Sequence, residues 1–363
     1  MTRSPQRAGI RLAALVGAAA LLSACVHIGP KTIPVDRFDY STAIADSWKQ
    51  QTLLNIVKLR YMDLPVFVDV SSIVSGYSLQ TGVNVGGSLS SAGAAQGDFL
   101  SAGAAAVYTD RPTITYTPMT GEKFLRSLLS PIEPKNIFFL LQSGYPADFV
   151  LGLTVESLNG VRNRSVEGGV IHEADDGFVR AITLMREVQM AGAVGMRVEE
   201  NSSKRETAVL FFRRDSLSPE IAEKSMEIRR LLGLSPDQQR FVLTYSPARG
   251  SAEELAVNSR SMLQIMKAFS SYLDVPEEHL RDHRAMPAFE HVSPEARKDV
   301  VRINSGKERP AAPFAAVHYR DYWYWVDDGD WPSKRALTAI MFFFTLVESG
   351  GGENLPVVTI PAQ

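Results

Sequence analysis

The apolar positions change period along the first third of the chain. Leu53, Ile56, Val57 and Tyr61 recur at i, i+3, i+4 and i+8, which predicts a helix over 43–62 ended by Pro65. Residues 66–70 then read as a short strand. Over 77–89 the period becomes two. Tyr77, Leu79, Val83, Val85 and Leu89 fall on odd positions, and Ser78, Gln80, Asn84 and Ser88 on even ones, the signature of a strand with unlike faces. The small residues of 90–98 allow a turn, and 99–109 is Ala-rich and apolar. Pairing about that turn predicts Tyr77 opposite Tyr108, Leu79 opposite Ala106, Val83 opposite Ala102 and Val85 opposite Leu100. That gives a hairpin with one apolar face.

From 120 onward helical and strand periods alternate. Helices are predicted at 121–129, 135–143, 175–190 and from Ser218-Pro219 to a Gly233 cap, with strands at 150–157, 196–200, 208–213 and 241–245. The order from 150 is β-α-β-β-α-β, a ferredoxin-like split pattern, and the fold class expected overall is α+β. Ser251-Ala252-Glu253-Glu254 fits a capping box. It predicts a helix carrying Leu255, Met262, Met266, Phe269 and Leu273 on one stripe. Residues 276–313 read as a charged, irregular excursion, 317–326 as an aromatic strand, 327–330 as a turn, 334–348 as a buried apolar helix and 356–360 as a last strand.

Composition narrows the function classes. Lys and Arg number 38 against 40 Asp and Glu, a formal net charge of -2, which excludes the basic footprint of a nucleic-acid binder. A hydrophobic content of 45% excludes wholesale disorder. The single cysteine excludes an intramolecular disulfide and a Cys-rich zinc site.

That cysteine carries the most specific signal. Arg3, Arg7 and Arg11 precede an unbroken small and apolar run over 12–22, shorter than the roughly 20 residues a bilayer span needs and suited to a secretory signal. The run ends in Leu22-Ser23-Ala24-Cys25, which resembles the lipobox of bacterial lipoproteins, Leu-[Ala/Ser]-[Gly/Ala]-Cys, read by signal peptidase II. The resemblance implies diacylglycerol on the Cys25 thiol, cleavage between Ala24 and Cys25, and acylation of the new amino group. Several acyl chains anchor stably where one is marginal. Val26, where inner-membrane lipoproteins of enteric bacteria carry aspartate, implies the periplasmic face of the outer membrane. Losing residues 1–24 removes three arginines and takes the formal net charge from -2 to -5. Membrane lipid would then hold the chain through acylated Cys25 and not through surface charge. The regions expected are a signal peptide over 1–24, a lipidated tether over 25–38, a helix and hairpin region over 39–119, a ferredoxin-like domain over 120–247 and an α+β region over 248–363.

Catalytic signatures are missing. There is no Gly-x-Ser-x-Gly, Walker loop, His-Glu-x-x-His or dinucleotide fingerprint, so no catalytic residue, cofactor or metal is assigned. His279 and His283, with Glu278, Asp282, Glu290 and His291 nearby, have helical His-x-x-x-His spacing, but their surroundings read as a solvated charged face. Asp327, Asp328 and Asp330 lack the downstream glutamate of a calcium loop. The densest cluster is Tyr319, Tyr322, Trp323, Tyr324, Trp325 and Trp331, a candidate surface for cell-wall glycan through Tyr322, Trp323, Trp325 and Trp331, or strand packing. The stretch from Val317 through Trp325 to Asp330, Ser333 and Lys334 is similar to the C-terminus of uncharacterised proteobacterial envelope proteins and implies no activity.

Three functions stay open. The first is a lipid-anchored envelope protein with a structural or assembly role, whose partners are envelope proteins or copies of itself. The second is a subunit of an oligomeric pore or secretion channel inserting hairpin 77–108. The alternation suits a transmembrane β-strand, but one hairpin cannot close a barrel and an open edge cannot sit in lipid, so several protomers must contribute. A soluble hairpin packed on the core shows the same alternation. The third is a glycan-binding module.

Overall fold

The computed structural model of the chain describes residues 29–74, 76–88, 99–167, 170–200, 206–213, 217–286 and 301–348. Ala24, Cys25, Leu89, His291 and the strand expected at 356–360 lie outside the described residues. The protein is a mixed α+β chain that divides into two units.

The first unit takes in Asp69–Thr117 and is dominated by a two-stranded ribbon. Strands β1 (Phe67–Val74) and β4 (Thr113–Met119) pair with each other, as do β2 (Tyr77–Ser88) and β3 (Phe99–Asp110). The Arg111 amide donates to the Gly76 carbonyl at 2.9 Å across the joint between the two pairs. Ser71 Oγ donates to the Thr115 carbonyl at 3.2 Å and accepts from Thr117 Oγ1 at 3.1 Å. The register of β2 on β3 sets Tyr77 opposite Asp110, Leu79 opposite Tyr108, Val83 opposite Ala104 and Val85 opposite Ala102. This corrects the expected pairing by two residues. A two-residue slip leaves every position on its original face, because side chains alternate with period two.

The second unit takes in Asp46–Val68 and the chain from Pro118. Helix α1 (Gly29–Arg60) starts well before the expected 43 and occupies residues read as a lipidated tether, with Pro34 inside it; its part from Asp46 belongs to the second unit. Its last turns bury Leu53, Ile56 and Val57 in the core of this unit. Helices α2 (Gly121–Leu129), α3 (Pro134–Gln142) and α4 (Ala147–Thr154) follow, then α5 (Asp176–Met190) and α6 (Pro219–Leu231). Ser218 Oγ caps α6 by accepting from the Ile221 amide.

The central sheet runs β6-β5-β12-β11-β10-β9, with β5 at Val155–Leu158, β6 at Val161–Arg162, β9 at Val194–Glu200, β10 at Glu206–Phe212, β11 at Arg240–Tyr245 and β12 at Glu254–Ser259, while β7 (Ser165–Glu167) and β8 (Val170–His172) pair apart from it. This order departs from the ferredoxin-like arrangement. There the strand of 150–157 would lie between β10 and β11. Here β11 pairs directly with β10, and β12 sits between β11 and β5. Two misread segments account for the difference. Residues 147–154 are helical, so the strand starts only at Val155. The predicted helix after Ser251 is instead strand β12, parallel to β11, with Leu255, Ala256 and Val257 buried.

The helix expected there begins later, as α7 (Met262–Ser270). Ser261 accepts from the Gln264 amide, and Gln264 Oε1 accepts from the Ser261 amide, a reciprocal capping box. Beyond it come a short helix α8 (Glu277–Arg281) and a three-stranded sheet ordered β13-β15-β14. Its strands are β13 (Asn304–Gly306), β14 (Pro313–Tyr319) and β15 (Tyr322–Asp327), and α9 (Trp331–Glu348) closes the described chain. The single aromatic strand expected at 317–326 is therefore a hairpin. Its turn is Arg320-Asp321, at φ 48° and 68°, the left-handed pair of a type I′ turn. No described helix is long and apolar enough to cross a membrane.

Candidate functional site

The aromatic hairpin of the second unit sorts its residues by face. Tyr324 and Val326 are fully buried, and Tyr322 sits edge-on to His279 at 5.1 Å between ring centroids. Trp323 and Trp325 occupy the other face with their surfaces already in use. Trp323 meets His318 at 5.3 Å and the Arg309 guanidinium at 5.4 Å. The Trp325 ring lies so close to Gly306 that a Cβ there would stand 3.3 Å from it, and its indole N–H donates to Asp327 at 2.8 Å. Trp331, 68% exposed, opens α9. Tyr322, Trp323, Trp325 and Trp331 thus do not form one open aromatic platform. Tyr322 packs inward, and the two strand tryptophans cover their own sheet.

Behind that hairpin lies a hydroxyl chain that no local pattern announces. Tyr61 Oη is 2.5 Å from Tyr324 Oη and 2.6 Å from His279 Nδ1. The three side chains are 4%, 0% and 1% exposed. Burial raises the pKa of both tyrosines, and the Tyr61–Tyr324 bond raises Tyr324 further while lowering Tyr61. Either tyrosine hydroxyl can donate across the Tyr61–Tyr324 contact, and the roles in the Tyr61–His279 pair follow the imidazole tautomer. Burial and the Arg284 charge both lower the His279 pKa. Around it, Tyr319 O–H donates to Asp63, Arg320 Nη2 donates to the same carboxylate at 2.9 Å, and the Arg320 guanidinium stacks 5.0 Å from the Tyr61 ring centroid. The chain ties the end of α1 to α8 and β15. With its hydroxyls and imidazole buried, it holds packing together and presents no group to a substrate.

The other chemically suggestive residues are likewise engaged within the fold. Asp327 accepts from Asn304 and Trp325, Asp328 from Lys334, and Asp330 caps Ser333. His283 has left the helix, at φ 54°, so it does not share a helical face with buried His279. Among the described residues no group of three His, Cys, Asp or Glu side chains could hold a metal ion. Asn159, also missed in the sequence, sits at φ 47° in a two-residue turn. Its amide donates to the carbonyls of Leu232 and Glu254 and its oxygen accepts from the Ala256 amide. The Asn159-Gly160 dipeptide was the available signal.

The ribbon of the first unit has the opposite character. Over Tyr77–Ser88 and Phe99–Thr109 there is no Asp, Glu, Lys, Arg or Pro. The rings of Tyr77 and Tyr108 stack at 6.2 Å and 19°, at the end of β2 and β3 next to Asp110 and Arg111. Gln80, Gly82, Asn84 and Gly86 are exposed, as are Ser101, Gly103 and Ala105 across from them. Leu79, Val83, Val85 and Leu100 alternate with these along the two strands. Among the described residues no further strand pairs with β2 or β3. Each strand therefore turns about a dozen backbone N–H and C=O groups toward a free edge. No protein-family model, curated protein or solved structure matches the chain. Function is accordingly argued from this geometry: a second unit in which Tyr61, His279 and Tyr324 are buried, and a ribbon that no further strand pairs with among the described residues.

Proposed function

We propose that the chain is a lipid-anchored protein of the outer membrane, held on its periplasmic face through acylated Cys25, with a non-enzymatic role in assembling an envelope structure. The observation that carries the assembly role is the ribbon Tyr77–Asp110. A two-stranded ribbon is at best marginally stable alone in water. Natural edge strands are blunted by lysine, proline or bulges, and this one has neither lysine nor proline over Tyr77–Thr109. Its chemistry favours addition of further strands. The anchor rests on the run 12–22 and on Leu22-Ser23-Ala24-Cys25. The non-enzymatic part rests on the burial of Tyr61, His279 and Tyr324 and on the bonds that Asp327, Asp328 and Asp330 make to neighbouring side chains.

Growth with labelled palmitate tests the anchor. The chain takes up label and sediments with outer membranes, while Cys25→Ala carries none and accumulates as an unprocessed precursor. Normal processing of Cys25→Ala overturns the anchor. Cross-linking in intact cells tests the assembly role, expected to give high-mass species that vanish when 77–108 is deleted; a chain that stays monomeric in the membrane overturns it.

A further inference from the structure

The partner of the open ribbon can be named from its own residues. Resting on the assembly reading above, we infer that the ribbon β2–β3 pairs with the same ribbon of further copies of this chain, β3 of one against β2 of the next, closing a transmembrane β-barrel with an uncharged lumen.

Four observations lead there. The first is length. Each strand has 12 residues, about 40 Å at roughly 3.3 Å per residue, and at a tilt of about 40° that spans about 30 Å, the thickness of a bilayer's hydrocarbon. The second is the placement of aromatic and charged residues. Tyr77 and Tyr108 stand together at one end, bounded by Asp110 and Arg111, while Phe99 stands at the other end opposite Ser88. No aromatic residue lies between. The Tyr77–Tyr108 pair, on the face of Leu79, fits one aromatic girdle of a barrel strand, whereas Phe99 falls on the face of Gln80 and Asn84. The third is alternation that survives the observed register. By register, positions 79, 81, 83 and 85 share one face of the ribbon with 100 and 108, mostly apolar apart from Thr81, and Gln80, Asn84 and Ser101 share the other with Val107 and Phe99. The fourth is the edges. Hydrocarbon tolerates no open strand edge, and one ribbon has two.

Identical copies solve the edge requirement without any second kind of protein. Each offers one β2 edge and one β3 edge of equal length, uncharged but for Asp110 at the last position of β3, so a single repeated contact closes a ring. An eight-stranded barrel fills with side chains and one of about sixteen strands leaves a water channel. The glycines at 82, 86 and 103 on the polar face leave open lumen, so a conducting ring takes about eight copies. Gln80, Asn84 and Ser101 give that lumen hydrogen-bonding groups and no fixed charge, which suits passage of neutral polar solutes and gives little preference between cations and anions.

Full-length lipidated chain, extracted in mild detergent and added to planar bilayers of phosphatidylethanolamine and phosphatidylglycerol, tests this. The expected result is a high-mass species by light scattering and discrete conductance steps with near-equal potassium and chloride permeability. Asn84→Glu keeps the steps and makes them cation-selective. Val83→Arg, on the lipid face, lowers the number of inserted channels roughly 30-fold or more, with the tryptophan fluorescence of the second unit unchanged. The absence of steps from the wild-type chain, a selectivity unmoved by Asn84→Glu, or full conductance in Val83→Arg each overturns the barrel. If Val83→Arg alters the fluorescence of the second unit, the Asn84→Glu result decides. Palmitate labelling reads the anchor separately, and cross-linked oligomers that do not conduct leave the assembly role standing while the barrel falls.

Discussion

Replacing Tyr61 by phenylalanine is the most direct probe of the second unit. Its hydroxyl is the middle link of the buried chain, at 2.5 Å from Tyr324 and 2.6 Å from His279. Phenylalanine keeps the ring and its edge-on contacts with His279, Tyr319 and Tyr324, so the loss is confined to hydrogen bonding. Two buried polar groups are then stranded, the Tyr324 O–H and His279 Nδ1. At about 1–3 kcal/mol for each unsatisfied group, the cost is about 2–6 kcal/mol. Tyr324→Phe removes only the end of the chain. The Tyr61–His279 bond remains, and the cost falls to about 1 kcal/mol. The double variant costs less than the sum of the two, because the orphaned Tyr324 hydroxyl of Tyr61→Phe is gone. Chemical denaturation followed by tryptophan fluorescence is the assay. All four tryptophans, Trp48, Trp323, Trp325 and Trp331, belong to the second unit, so the signal reports that unit alone. A Tyr61→Phe variant within 0.5 kcal/mol of wild type, the ordinary range of about ±0.5 for surface changes, or strictly additive single and double costs, would refute the relay.

Two further outcomes follow from the same unit. The His279 pKa is lowered by burial and by Arg284, so below about pH 6.5 the unfolded chain takes up a proton that the folded ring refuses. Stability is complete above that pH and falls as pH drops toward the folded value, by at most about 1.4 kcal/mol per pH unit; His279→Gln loses this slope in denaturation midpoints taken across pH 5–8, and an unchanged slope assigns it elsewhere. Asn159→Ala strands the Leu232 and Glu254 carbonyls and the Ala256 amide, three groups that together cost about 3–9 kcal/mol. Asn159→Gly relieves the left-handed backbone but strands the same groups, so thermal melts place it slightly above the alanine variant and well below wild type; equal stability of Asn159→Gly and wild type would mean that the bonds contribute nothing.

Elements with strong local period were legible in the sequence, and arrangements set by distant contact were not. The helix read over 121–129 matches α2, and the one read over 175–190 matches α5 within a residue, because each carries an apolar stripe with a polar start. Residues 254–259 failed for a physical reason. In a strand buried on both faces, Leu255, Ala256 and Val257 show no alternation and cannot be told from helix by period, and Ser251–Glu254 imitated the capping box that Ser261 and Gln264 form. The 313–327 hairpin was hidden because its left-handed turn uses Arg320 and Asp321, without glycine or asparagine, the arginine being held by Asp63. Tyr61 is separated by 218 residues from His279 and by 263 from Tyr324, and nothing periodic links positions so far apart. In the ribbon, the alternation was legible and the register was not, since small residues at 101–106 make neighbouring even slips nearly equivalent.

Edges that add copies of themselves also set a problem of termination. A head-to-tail contact ends growth only if the rotation between neighbours divides a full turn; otherwise it propagates as a filament. Runs of twelve and eleven uncharged residues without proline, Tyr77–Ser88 and Phe99–Thr109, share the low charge and lack of proline of segments that stack into cross-β fibres. In the proposed ring the bilayer would act as more than a destination, fixing strand tilt and so selecting the closed ring over the open stack. Chain made without a membrane to enter has no such arbiter, and fibrils that bind amyloid dyes through 77–110 are its natural end point.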